Sequence, residues 1–319
     1  MSVSTAMILH NAAAIVIPEV DPVAIHENAM RVREAFPFSV DKRECFGPSG
    51  EKTGFFGLFR SDNDVQLSDS SVSEKYTPHN TDDVCALVEA AMCVFGESAV
   101  LKTHWQGGHF VTVEPSKADR LAIFGTVDNI FPKLTIFGGY NGKGFLGSLG
   151  LWRDMCRNLH IMRQVSGTSV SIRHTKNMYR RMAELQDVFG SLASKWGKVG
   201  ETALRLEEKT VNLASFLDAM YPAKLEEKSK AGETRHKSRT EDIVRRIVRE
   251  SYEAGRDVSG FNRPEIVVTG WQALNGLQGY LQHETLAARR QKSELGQVLQ
   301  TMSGVTATLL GNAERYLIG

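Results

Sequence analysis

The sequence predicts an α+β protein: an antiparallel, strand-rich N-terminal portion to about residue 174, followed by a helical C-terminal half. Three observations carry that reading. Short aromatic runs with strand period fall between Phe36 and Arg60. The pair Gly107-Gly108 separates two apolar stretches, as a hairpin turn does. Past Arg173 the apolar residues change to steps of three and four. Three regions follow: an N-terminal arm at 1–34, an α+β domain with an antiparallel sheet at 35–174, and a helical region at 175–319 containing a charged, mobile segment at 223–240.

The arm is assigned because Pro18 and Pro22 stand among small residues without a sustained period. Phe36 to Val40 alternates as a strand does, and Gly54 to Arg60 is an aromatic run that a strand can bury on both faces. Ser61-Asp62-Asn63-Asp64 supplies a turn, since such side chains bond their own backbone. A helix is expected from Thr81, read as its N-cap, to Phe95, with Asp82 and Asp83 in the positive first turn and Gly96 beyond the end.

A hairpin is expected next, with arms at Ala99–His104 and His109–Val113 and a two-residue turn at Gly107-Gly108. In that register Trp105 pairs with Phe110, and His104, Gln106, His109 and Val111 share the opposite face. Further strands are expected at Leu121–Val127, Leu134–Phe137, Phe145–Leu149 and Val170–Arg173. Helical stripes then run through Met178, Met182, Leu185 and Phe189, and through Leu204, Val211, Phe216 and Leu217, the second stopped by Pro222. A shorter helix is predicted at Glu241–Tyr252, and a last stripe at Trp271, Leu274, Leu277, Tyr280 and Leu281.

At 319 residues, 42% hydrophobic and 24% charged, the chain has the composition of a globular protein able to bury a sizeable core. No run of about eighteen apolar residues suggests a membrane span. Met1 to Val20 has no basic residue before its apolar run and breaks at Pro18, which argues against a secretory signal and places the protein in a cytoplasm. Cys45, Cys85, Cys93 and Cys156 form no C-x-x-C pair, so neither a zinc ribbon nor a disulfide framework is indicated.

Charge is the most informative feature. The whole chain is only +1, yet Lys133 to Met182 holds nine Lys or Arg against one acid, Asp154, a local charge of +8. Such an excess points to an anionic partner. The candidate nucleic-acid-binding residues are Lys133, Tyr140, Lys143, Arg153, Arg157, Arg173, His174, Lys176, Arg180 and Arg181, with Trp152 and Tyr179 as further faces for unpaired bases. The loop Gly138 to Gly144 can aim backbone N–H groups and Lys143 at a phosphate. It is neither a Walker loop, since no Ser or Thr follows Lys143, nor a dinucleotide fingerprint, since a strand follows it. Alternatively it is a plain strand connection, and the basic run a solvated helix face.

No catalytic set is identified. His104 and His109 on one sheet face lack a third metal ligand, and His174 and Cys156 lack a partner for nucleophilic work. No metal and no cofactor is assigned.

The run Ser73-Glu74-Lys75-Tyr76-Thr77-Pro78-His79-Asn80 resembles the D-R-Y-x-P-x-Q-N stretch of the phage/plasmid-like protein family, an uncharacterised family of bacteriophages, plasmids and bacteria. Arg153 to Leu159 resembles its R-V-V-C-x-N-T-L, Arg173-His174-Thr175 its R-H-T, and Trp271 to Gly276 with Tyr280 and His283 its W-x-x-x-N-x-x-x-x-Y-x-x-H. These landmarks come in the family's order. His79 departs from the family's Gln, and Gly139-Tyr140-Asn141-Gly142 replaces its Ser-His-Asp-Gly. The resemblance implies a mobile-element, phage origin and supplies no activity.

Together these readings suggest a phage-encoded, ATP-independent nucleic-acid-binding protein, favouring single-stranded DNA and fitted to annealing in phage replication or recombination, where a homo-oligomer is expected. The alternative is a non-catalytic protein–protein interaction factor acting on a host or phage partner through the helical C-terminal half. An enzyme acting on nucleotides through His174 and Lys143 has the least support, because no acid, base and metal set converges.

Overall fold

The computed structural model describes residues 21–105, 107–116, 121–122, 129–140, 144–153, 159–160, 169–190, 201–222, 230–262, 265–285 and 304–319, with Ser293, Gly296, Gln300 and Thr301. Pro22 opens a helix, α1 (Pro22–Ala35), where a loose arm was expected. Proline has no N–H to lose at the first helical position, and the Asp21 carboxylate accepts from the Val23 N–H at 2.9 Å. Ile25, Ala29 and Val32, spaced four and three apart, form its buried stripe.

Strands β1 (Val40–Phe46), β2 (Lys52–Arg60) and β3 (Val72–Ser73) make a small antiparallel sheet. Helix α2 (Thr81–Phe95) runs between the predicted ends, although Asn80 rather than Thr81 is the N-cap. Its N–H donates to the Asp83 carboxylate at 2.7 Å. Gly96 stops the helix at φ +82°, a conformation that disfavours any side chain.

The main sheet has order β10-β8-β7-β5-β4, from β4 (Val100–Trp105), β5 (Gly108–Glu114), β7 (Asn129–Gly139), β8 (Phe145–Arg153) and β10 (Ser169–Ile172). Two short strands extend it, β6 (Leu121–Ala122) on β7 and β9 (Leu159–His160) on β8. All pairings in it are antiparallel. Pro132 is opposite Leu151 of β8 and, on its other side, falls between the stretches paired with β5 and β6. A strand tolerates a missing N–H in such a gap.

The hairpin register differs from the expected one by a residue. Trp105 lies opposite His109 and His104 opposite Phe110, so the connection is three residues with Gly107 at φ +70°. A one-residue slip sends every side chain of one arm to the other face. His109 is therefore on the face of Trp105, with ring centroids 5.6 Å apart, and does not share a face with His104.

Helix α3 (Met178–Gly190) packs with α1 and α2 over this sheet. The shared core contains Leu87, Val88 and Met92 from α2, Val111, Leu134 and Ile136 from the sheet, and Met182, Leu185 and Phe189 from α3. At Gly147 the helix approaches so closely that a Cβ would meet Leu185 Cδ2 at 2.7 Å.

The second predicted helix is broken. After a helical stretch at 201–208, β11 (Thr210–Asn212) pairs with β12 (Val267–Thr269), and α4 (Leu213–Met220) starts afresh because the Asn212 side chain accepts from the Ser215 N–H at 3.0 Å. Helix α5 (Lys230–Glu253) then takes in residues 230–240 of the segment expected to be mobile. Lys, Glu and Arg are good helix formers, and buried Ile243 and Ile247 anchor the continuation. A second core gathers Phe216, Ile247 and Trp271 with Leu277, from α6 (Gly270–Gly279), and Leu310, from α7 (Gly304–Ile318). The described chain is thus mixed helix and strand on antiparallel sheets, with helices on both sides of the strand-rich stretch in sequence.

Candidate functional site

The segment before α2 puts Tyr76 and His79 against the ends of β5, β7 and β10. Their rings form a column. Tyr140 stacks on His79 (centroids 4.4 Å, planes 6° apart), His79 on His174 (5.2 Å), and His174 on Tyr76 (4.8 Å). His109 meets His79 edge-on. His79, His109 and Tyr140 have no exposed surface, and His174 is buried as well. Gly138 makes room, since a Cβ there would lie 2.1 Å from His79 Nε2. Gly138→Ala is accordingly expected to destabilise the fold by about 1–3 kcal/mol, as overpacking does; urea unfolding checks this, and an unchanged midpoint would show that His79 can yield.

The hydrogen bonds fix the protons. Thr81 Oγ1 lies 2.9 Å from the Phe36 carbonyl, 3.1 Å from that of Phe38 and 3.0 Å from His109 Nε2. A hydroxyl has one proton, and two carbonyls can only accept, so Thr81 donates to them and accepts from His109 Nε2–H. His109 Nδ1 then accepts from His79 Nε2–H at 3.0 Å, and Tyr140 donates to the His79 carbonyl at 2.8 Å. The chain ends at His79 Nδ1, a buried lone pair with no hydrogen-bond partner among the described residues; the buried Tyr76 hydroxyl has none either.

Burial holds these imidazoles neutral. It lowers His109 to about 3, and it lowers His79 well below the ordinary value, with His109 and His174 opposing further charge nearby. Sealed and neutral, these rings make a proton-sensitive structural knot. No group of three or more potential metal ligands occurs among the described residues.

The predicted binding residues divide into three sets. Arg173, Lys176, Arg180 and Arg181 are exposed at the β10–α3 connection and the start of α3, beside Tyr179, which is 48% exposed. This cationic stretch of sequence, the strip, adjoins the column: Tyr179 donates to the Pro78 carbonyl at 3.3 Å, and His174 Nδ1 is 3.2 Å from the Thr77 carbonyl. Arg180 pairs with Glu184, whereas Arg173, Lys176 and Arg181 have no ion-pair partner among the described residues. Cations at a helix N-terminus meet the positive end of its dipole, a cost that also raises the local potential for an anion.

Four others are internal. Lys133 is buried, 3.4 Å from Glu114 and 4.3 Å from the centroid of the Trp152 ring. Arg153 is buried on Glu250 (2.9 Å) and Asn275 (3.0 Å). Tyr140 and His174 belong to the column, so neither presents a face to a base. Lys143 and Arg157 lie outside the described residues, as do Cys156 and the middle of the glycine loop; Gly138 and Gly139 are strand residues of β7.

The landmarks of the resemblance meet in space. His79 touches His174, and Arg153 bonds Asn275, which itself donates to the Trp271 carbonyl at 2.8 Å. Sequence reasoning missed His79, Glu250 and Asn275 as partners. The available signal for His79 was its place directly before a helix cap.

These features define a mixed α/β protein with an antiparallel sheet, a sealed histidine–tyrosine column and an adjoining stretch of exposed cations. The chain belongs to the family described as Domain of unknown function (DUF932), matched over residues 69–301. That span takes in the column, the strip and the Arg153–Glu250 pair, and leaves out α1, β1, β2 and α7. No curated protein and no solved structure matches the chain.

Proposed function

We propose that this protein binds nucleic acid without ATP, with single-stranded DNA as the favoured ligand and annealing in a phage or plasmid setting as its use. The observation that carries the reading is the exposed strip Arg173, Lys176, Arg180 and Arg181, three of them without an acidic partner among the described residues, flanking the exposed Tyr179. Cations of this kind neutralise phosphates and release counterions, and the tyrosine offers a stacking face to an unpaired base. Lys133, Tyr140, Arg153 and His174 are buried and are not counted among the contacts.

A fluorescence titration with labelled single-stranded DNA at two salt concentrations tests it. Binding is expected at low salt and to weaken steeply as salt rises. The double variant Lys176→Glu/Arg181→Glu is expected to bind roughly tenfold or more weakly and to reduce the log–log salt slope by about 1.4, two phosphate contacts on a single strand. Absence of binding at low salt by the wild type would end this reading.

A further inference from the structure

A second surface lies on the opposite half of the sequence. Helices α4 and α5 and the residues leading into β12 enclose a half-open groove of about 710 Å³. Its floor is apolar: Leu213 and Leu217 are buried, and Val244 and Ile266 are half-buried. Its rim holds three exposed carboxylates, Asp218, Glu241 and Glu265, none with a hydrogen-bond or ion-pair partner among the described residues. Among the described lining residues Arg245 is the one cation, and it pairs with Asp242 at 2.5 Å.

We infer that this groove docks a basic amphipathic segment of a partner protein, its apolar side chains on the floor and its Lys or Arg side chains on the three carboxylates. The charge complementarity is specific: three exposed acids without a partner among the described residues border an apolar trough. The volume lies in the range of sites that seat several side chains, and a trough between two helices is the shape that accepts an amphipathic helix. Long basic side chains suit such a rim because their stems add apolar contact while their heads reach the acids. This site is distinct from the cationic strip and does not depend on nucleic-acid binding.

The test uses the full chain and a fluorescein-labelled amphipathic peptide made of leucine and lysine, followed by anisotropy, with its leucine–glutamate counterpart and spermidine as comparisons. The leucine–lysine peptide is expected to bind. Glu241→Lys/Glu265→Lys is expected to weaken it roughly tenfold or more, and Ala214→Trp, which fills the trough at an exposed position without changing charge, to weaken it comparably. Circular dichroism confirms that both variants fold. Undiminished binding to either folded variant, or equal binding of the leucine–glutamate peptide, would overturn the proposal. Spermidine displacing the labelled peptide at the peptide's own concentration would also overturn it, assigning the groove to a small organic cation instead.

Discussion

Replacing Glu250 by alanine is expected to lower the unfolding free energy by about 3–5 kcal/mol, the usual cost of removing one partner from a buried ion pair. The Glu250 carboxylate serves two buried guanidiniums, Arg153 at 2.9 Å and Arg246 at 2.5 Å. Arg246 also reaches Glu284, so the loss disturbs a network that joins β8 to α5 and the turn after α6. Close helix packing leaves it no freedom to readjust, since a Cβ at Gly279 would already meet Glu250 Oε1 at 2.4 Å. Urea unfolding gives the value directly. A loss below about 1 kcal/mol would mean that water enters and solvates the two arginines. The exposed Arg180–Glu184 pair is the control, because a solvated pair of that kind contributes at most about 1 kcal/mol.

Stability is also expected to fall on mild acidification. His79 and His109 are neutral in the fold because burial depresses them, whereas the unfolded chain binds their protons near the ordinary value of 6.5. A depressed folded-state value means that the stability is fully present above about pH 6.5 and drains as pH falls from there toward about 3 for His109. Each such histidine costs about 1.4 kcal/mol per pH unit in that window, so the pair removes roughly 4 kcal/mol by about pH 5. The rings facing them, Tyr140, His174 and Phe145 on His79 and Phe36, Phe38 and Trp105 on His109, carry no negative charge that would offset the added proton. Urea unfolding at a series of pH values between about 5 and 7.5 checks this, and a flat profile would exclude neutral imidazoles in the core. The strip stands on this column through His174 and Tyr179, so acid that opens the column is expected to disturb the strip as well.

Local chemistry was legible where a signal is local. Asp82, Asp83 and Gly96 mark α2 through first-turn charge and a positive φ, which do not depend on the rest of the chain, although the cap is Asn80, one residue before the Thr81 expected from the sequence. The strands at Gly54–Arg60, Phe145–Leu149 and Val170–Arg173 were readable from β-prone runs, though the observed strands differ from them by up to a few residues at their ends. Pro22 and Asn212 carried equally local signals, one for a helix start and one for a cap, which a proline or a continuous stripe concealed.

By itself, then, the sequence determined the mixture of helix and antiparallel strand, the limits of α2, and a surplus of cations between Lys133 and Met182. The tertiary structure alone decided which of those cations face outward. Lys133 is drawn inside by Glu114 from a neighbouring strand, and Arg153 by Glu250, 97 residues further along the chain. Burial of a charge depends on a partner that folding brings up from elsewhere, and no local pattern records that partner. The same holds for the column: a single residue of hairpin register put His109 against His79 instead of beside His104, and register is set by the turn and the facing core together.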